Sequence, residues 1–447
     1  MRVLLLHGYM LRGTGSNIYN VNLVRALARQ GHEVHLLCQD REVRPEGVLV
    51  HNPDIGGLLP VYVKDPYPGF EVKAFPELTE AELDRYLDAN VAAVRAVAEE
   101  AGGIDLALAN HLVMGPAILA RAGVAPFAAK IHGSALEYTV KPHPRFLPYA
   151  EEGVRAASGV LVGSRHTAES LWAALPEVEG LREKTRLGPP GVDVEAFRPT
   201  GPGDRDGRVV FVGKLIVSKG VDLLLAAWPL VRAENPGARL QVAGFGEYEG
   251  GLRRLLAALE RGDLDDAREV ARLGWALEGG EERPLPILSA FLAEPPPRYA
   301  EMARAAAGSV ELIGRLEHDE VAALLPGAEA LVMPSTFPEA FGMVAAEAAA
   351  AGALPVSAGH SGMLEVSRQL ATTLPAEVAA LTSFPVEPGA VEAIADRLNL
   401  WLALPEGERE SARAALVETV GRLWSWEAVA RGVLAAAAGD LAGLPLP

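Results

Sequence analysis

Val209-Val210-Phe211-Val212-Gly213-Lys214-Leu215-Ile216-Val217-Ser218-Lys219-Gly220 reads as a buried strand, a loop carrying two lysines, and the lead-in to a helix. Four consecutive apolar residues suit a strand covered on both faces. The helix expected next, Val221–Ala233, is apolar at helical spacing. Just upstream, the Pro- and Gly-rich text from Arg198 to Gly207 is a linker by composition. The quoted strand therefore opens a second domain.

Working outward, both sides alternate strand and helix. Upstream, Val3–His7 is an apolar run, followed by a Gly-rich loop from Gly8 to Gly15. A helix then carries Val21, Leu23, Val24, Leu27 and Ala28, and Gly31 ends it before the strand Glu33–Leu37. Short apolar runs recur at Asp105–Ala109, Ala128–Ile131 and Gly159–Val162, separated by helical segments such as Glu80–Ala101 and Tyr149–Ala157. Downstream the runs are Arg239–Ala243, Val310–Leu312, Ala330–Val332 and Leu354–Val356. This βαβ rhythm predicts an α/β protein of two Rossmann-like, doubly wound domains, 1–203 and 204–422, with a terminal helix in 423–447. Ligands of such sheets bind beyond the carboxyl ends of the strands, so two facing domains predict a cleft. An insertion at about 250–305 breaks the rhythm, since a single crossover helix needs roughly twenty residues. It reads as extra helices around a Pro-rich turn, and a homo-oligomer contact, an acceptor-side lid and plain decoration all stay open.

With 447 residues and 49% hydrophobic content, the chain is long enough for two cores. Its formal charge of −17 argues against a nucleic-acid or anionic-membrane binder. Of 41 Lys and Arg residues only seven are Lys, so two of them five apart in one loop stand out. One cysteine, Cys38, leaves no intrachain disulfide and fits a reducing, cytoplasmic compartment. The apolar start, Met1 to Gly8, runs into a Gly-rich turn with no small-residue cleavage site and is read as the first strand, not a signal peptide. No apolar run reaches membrane-spanning length.

The densest chemistry lies in Pro334-Ser335-Thr336-Phe337-Pro338-Glu339-Ala340-Phe341-Gly342-Met343-Val344-Ala345-Ala346-Glu347. Ala340, Phe341, Gly342 and Met343 sit at a helix start, where free N–H groups favour an anion and Gly342 permits close approach. Glu347, on the helix, can accept hydrogen bonds from ribose hydroxyls, and Glu339, on the loop, can face a sugar. Taken alone, the two glutamates also fit a helix's first turn and a solvated face.

Together with its flanks, this arrangement resembles the Glu-x7-Glu motif of retaining GT-B glycosyltransferases, family four. The resemblance covers nearly the whole chain. It implies a GT-B architecture with two Rossmann-like domains across a cleft, donor binding in the C-terminal one, and a last helix crossing back to the first domain, with Trp424 and Trp426 as packing residues. It implies transfer of a hexosyl unit from a nucleoside diphosphate sugar with retention, no metal and no cofactor. Lys214 and Lys219 answer to the family's diphosphate-binding pair, with Gly213 beside them and Lys214 standing where Arg is usual. Lys lacks the bidentate fork of Arg, so the grip differs in detail.

Gly13, Gly15 and Ser16 resemble the family's Gly-rich loop near the donor phosphates. The loop also fits the start of a dinucleotide fingerprint ending on Asp40, but no third Gly opens the helix. His132, after Ala129-Lys130-Ile131, resembles the family's cleft histidine near the sugar. His111 is a further acceptor-side candidate, whereas His7 is read as structural. The stretch from Gly188 to Pro199 resembles the family's loop before the linker and is read as a hinge-side turn, with Gly191 a further candidate near the phosphates, and Arg315 and Leu316 match where the family reads the base. Asp204-Arg205-Asp206 is formally a metal-binding Asp-x-Asp but is read as solvated linker, and the ten His show no metal-ligand spacing. The expected partners are thus a nucleoside diphosphate sugar and a small soluble acceptor. A GT-B sugar-nucleotide epimerase and a catalytically silent partner subunit are the rival readings.

Overall fold

The computed structural model describes residues 1–199, 201, 205 and 207–447. The chain forms two compact units, Met1–Gly191 with Trp424–Pro447, and Val192–Leu423. The division precedes the Pro- and Gly-rich linker because Phe197 is buried in the second unit, its ring 5.0 Å from that of His318. Asp204 and Asp206 lie outside the described residues. Arg205 between them is partly buried and donates to the carbonyls of Ala328 and Ala351, so it is not a solvated linker residue.

The first unit holds β1 (Arg2–Leu6), β2 (Glu33–Leu37), β3 (Val48–His51), β4 (Leu58–Val61), β5 (Glu71–Ala74), β6 (Leu106–Asn110), β7 (Phe127–Ile131), β8 (Gly159–Val162) and β9 (Thr185–Leu187). Seven of these form a sheet in the order β3-β2-β1-β6-β7-β8-β9, and β4 pairs with β5. Every pairing is parallel. Alternate residues serve opposite faces, as the pleat requires. Leu4, Leu6, Ala107 and Ala109 join one core, while Val3, Leu5, Leu106 and Leu108 join the other. The terminal helix Trp426–Ala438 belongs to the second of these cores through Trp426, Ala430 and Val433.

The second unit holds β10 (Arg208–Val212), β11 (Arg239–Ala243), β12 (Val310–Gly314), β13 (Ala330–Met333), β14 (Leu354–Ala358) and β15 (Ser383–Phe384). They form a parallel sheet in the order β12-β11-β10-β13-β14-β15. Between β11 and β12 the chain forms helices Glu249–Arg261, Leu264–Leu273, Pro286–Ala293 and Tyr299–Ala305, with a 3-10 turn at Trp275–Glu278. The sequence reading missed β3, β9 and β15 at sheet edges and the separate pair β4–β5. These strands have two to four residues each, and text such as Glu71-Val72-Lys73-Ala74 carries too few apolar residues to show a period.

A buried ion pair anchors the second unit. Arg413 donates to Glu329, with both side chains buried, and to Glu406 and Glu410. Trp401 donates its indole N–H to the Glu329 carbonyl at 3.0 Å. Removing one partner strands a buried charge. Arg413→Leu is therefore expected to lower unfolding free energy by about 3 kcal/mol, and the double variant with Glu329→Leu to recover part of it. Urea unfolding of the three proteins measures this, and equal stability of Arg413→Leu and wild type would refute it.

Candidate active site

Parallel strands all end at one edge, and in the second sheet the order reverses between β10 and β13. The loops leaving these two strands therefore meet at the switch point. The first is Gly213–Gly220 and the second Pro334–Gly342. They touch closely: Thr336 donates its N–H to the Ser218 carbonyl at 2.9 Å, and a side chain at Gly220 would collide with the Pro334 carbonyl. Gly220 has φ of 64°, which a residue without Cβ adopts at no cost.

This contact brings Lys219 and Glu339 into an ion pair, with both side chains about three-quarters buried. Ser335 donates its hydroxyl to Glu339 Oε1 at 2.9 Å, and the Glu339 N–H donates to Ser361 Oγ at 2.9 Å. Ser361 itself has φ of 53°, a strained setting for a residue with a side chain, and His360 reaches the Ser335 carbonyl at 2.9 Å. Lys214 is partly buried on the same loop. Gly342 (φ 95°) caps the helix Met343–Ala350, whose first turn has no side-chain cap and no acidic residue. Phe341 is buried beside it. The free N–H groups of such an uncapped helix N-terminus favour an anion.

Glu347 does not lie on a solvated face, the alternative left open for it in the sequence. It is buried, and its Oε1 lies 3.0 Å from Nε2 of His318. Burial pulls the His318 pKa down, but the hydrogen bond and charge of Glu347, with Asp193 and Asp319, outweigh it, and the net shift is upward. Arg315 stacks its guanidinium 4.8 Å from the Phe245 ring centre and pairs with Glu317 at 3.0 Å, so protein groups occupy it here. Leu316, partly buried, follows it.

The first unit repeats the geometry at its own switch point, between β1 and β6. His132 Nε2 lies 2.8 Å from Asn110 Oδ1, and Asn110 donates to Asn20 at 2.7 Å. Asn20 meets His7 Nδ1 at 3.0 Å, and the other nitrogen of His7 meets Asn17 at 2.9 Å. Asn17 in turn donates to the Arg12 carbonyl, holding the Gly-rich loop. Gly13 there has φ of 90°, and Gly15 and Ser16 open a helix with no side-chain cap. Burial keeps all three histidines neutral: His7 falls to about 4, and His111 and His132 well below 6.5. His111 has φ of 67°, and neither ring nitrogen has a hydrogen-bond partner among the described residues. Its ring lies 4.9 Å from that of His132 and 4.7 Å from that of Tyr62.

Two further positions have structural roles. Gly191 lies against Trp426, where a Cβ would fall 2.6 Å from the indole, so packing alone requires a glycine here. Asp40 accepts from the N–H groups of Leu11, Glu42 and Val43, so its carboxylate secures the loop and is not poised as a ribose ligand. Sequence reading missed His318, Ser335, Ser361, Asn20 and Lys130. Lys130 is buried beside Tyr19, donates to the Gly188 carbonyl, and burial lowers its pKa to about 7. Its rarity in this chain was the available signal.

Similarity to known proteins bears on the family and the fold. Residues 13–196 match the model described as Glycosyltransferase Family 4, and residues 300–417 match Glycosyl transferases group 1. A D-inositol 3-phosphate glycosyltransferase of Frankia alni is 30% identical over 94% of this chain and 93% of that protein. A GDP-mannose-dependent monoacylated alpha-(1-6)-phosphatidylinositol monomannoside mannosyltransferase of Corynebacterium glutamicum is 26% identical over 69% and 68%. Among solved structures, Anabaena HepE in complex with UDP and glucose superposes with a TM-score of 0.60 at 16% identity, covering 99% and 100% of the two chains. Two Rossmann-like units with all-parallel sheets are the GT-B fold, and the curated relatives and family matches make the chain a glycosyltransferase. Within that class, the chain belongs to glycosyltransferase family 4. Among the described residues no helix is long and apolar enough to cross a membrane.

The raised His318 pKa has a measurable sign. Its pair with Glu347 contributes fully below the ordinary value of 6.5 and is lost as pH rises through the raised folded value. The stability gap between wild type and His318→Gln should therefore be widest below pH 6.5 and shrink on alkalinisation, as followed by urea unfolding across pH. A gap that widens with pH would count against this pairing.

Proposed function

We propose that this glycosyltransferase moves a hexosyl unit from a nucleoside diphosphate sugar to a hydroxyl of a small soluble acceptor. Transfer proceeds with retention at the anomeric carbon and needs no metal ion or further cofactor. The observation that carries this reading is the Lys219–Glu339 pair, set where two loops meet beside an uncapped helix N-terminus. Negative charge builds on the diphosphate as it leaves, and fixed cations and N–H dipoles lower that barrier without reorganising. Lys214, Lys219 and the backbone of Phe341 to Met343 take this part. Glu347 holds the ribose, and Glu339 holds the sugar hydroxyls.

His132 offers a neutral ring to hydrogen-bond the sugar, and the His7–Asn20–Asn110 chain fixes its orientation. A diphosphate oxygen takes the acceptor proton on the face from which the leaving group departs, so no carboxylate nucleophile is needed. The relative named for D-inositol 3-phosphate supports a polyol-type acceptor. The relative named for a phosphatidylinositol monomannoside represents the lipid alternative, which the net charge of −17 disfavours.

Thermal shift with UDP, GDP and ADP sugars identifies the donor, and turnover should release nucleoside diphosphate in step with glycosylated acceptor, unaffected by EDTA. Lys219→Ala is expected to lose about 100-fold or more in kcat while keeping its melting temperature within a few degrees, because the pair is only partly buried. Near-normal turnover in that variant would overturn the assignment. An inverted anomer by NMR would remove the claim of retention, and an epimerised donor without acceptor product would favour the epimerase.

A further inference from the structure

The loop Gly213–Gly220 is secured from three directions, and the third has no counterpart in the two-loop geometry above. From β11, the Gly213 N–H donates to Ala243 at 3.0 Å, Leu215 to Phe245 at 2.8 Å, and Tyr248 to Leu215 at 3.0 Å. From β13, Thr336 holds Ser218. The third contact comes from the insertion: the Val217 N–H donates to the carboxylate of Glu278, 61 residues away in sequence.

Val217 is the first residue of the short 3-10 turn Val217–Lys219, and Ile216 before it offers no side-chain acceptor. An N–H at that position needs one. Glu278 supplies it from a turn that is itself tightly built. Leu277 donates to Gly274 at 3.0 Å, Gly280 to Trp275 at 3.0 Å, and the Arg283 guanidinium lies 4.1 Å from the Trp275 ring centre. The helix Glu249–Arg261 fits against the same turn through Gly251, where a side chain would collide with the Tyr248 ring and meet Leu277 at 3.1 Å. Burial raises the Glu278 pKa, the Val217 N–H opposes that, and the charge of Glu247 adds to it. The net upward shift marks a carboxylate whose surroundings disfavour its charge, which leaves the Val217 N–H as the contact that rewards its placement.

We propose that Glu278, on the helical insertion between β11 and β12, is a positioning residue that caps the Val217–Lys219 turn and thereby sets Lys214 and Lys219 against the departing diphosphate. This assigns the insertion a part in catalysis and rests on the donor reading above. What matters is an acceptor oxygen of sufficient reach rather than a negative charge. Glu278→Gln keeps the oxygen, Glu278→Asp keeps the charge but shortens the reach, and Glu278→Ala removes both.

The test compares these three full-length variants with wild type by amide exchange of the 213–220 segment, by affinity for UDP, GDP and ADP, and by steady-state transfer. In Glu278→Ala and Glu278→Asp the loop amides should exchange about tenfold faster or more, with kcat down about ten- to a hundredfold and donor KM within about threefold. Glu278→Gln should stay within about threefold of wild type in all three and melt no lower. Should Glu278→Ala fail to fold, Glu278→Asp against Glu278→Gln decides. Wild-type kcat or unchanged loop exchange in folded Glu278→Asp overturns the proposal, as does a Glu278→Gln variant as impaired as Glu278→Asp. A wild-type chain that neither binds nor turns over any of the three nucleotides or their sugars instead sinks the donor reading, and the proposal with it.

Discussion

Two loops can share one carboxylate–ammonium pair in the second unit only because position 220 has no side chain. A Cβ there would strike the Pro334 carbonyl, and the positive φ already favours glycine. The same device repeats nearby: side chains at Gly244 and Gly246 would collide with the backbone of Gly213 and Leu215. Three glycines thus let three loops lie backbone to backbone at the end of the sheet. The hydrogen bonds of the loop 213–220 follow from that closeness, as does the meeting of Lys219 with Glu339. The chemistry rests on side chains, but their placement rests on the absence of others.

The first unit solves a related problem with polar groups. A buried asparagine must satisfy both donor and acceptor. Asn20 and Asn110 do so by linking His7 to His132 across the ends of β1, β6 and β7. Each amide fixes the orientation of the next group, so the ring of His132 inherits its setting from the start of the chain. Such a network has value only when complete, since a half-satisfied buried amide is costly. His111 stands apart from this economy, with a strained backbone and two unpartnered ring nitrogens.

Much of this was legible in the sequence, for identifiable reasons. The strands β1, β6, β7, β10 and β13 are buried on both faces, so each appears as a largely apolar run, broken within β7 only by Lys130. Glu339, Gly342 and Glu347 lie within one loop and helix, and Lys214 and Lys219 are conspicuous in an Arg-rich chain. What escaped were partners supplied from elsewhere. His318 reaches Glu347 from the start of the helix after β12, Ser361 reaches Glu339 from the start of the helix after β14, and Glu278 reaches Val217 from the insertion. Ser, Asn and Glu are common residues, and nothing local distinguishes the one that will meet a distant N–H. The packing role of Gly191 was hidden for the complementary reason: its neighbour Trp426 lies at the other end of the chain.

That last contact also bears on how the chain is made. The helix Trp426–Ala438 covers one face of the first sheet, yet it follows the whole second unit in sequence. On a ribosome, which releases the chain from its N-terminus, Leu108, Ala128 and Leu161 on β6, β7 and β8 must wait for that cover until all of Val192–Leu423 has emerged. The second unit, contiguous in the chain, faces no such delay. The part of the protein synthesised first is therefore the part completed last, and its bare apolar face is the natural point of attention for a chaperone.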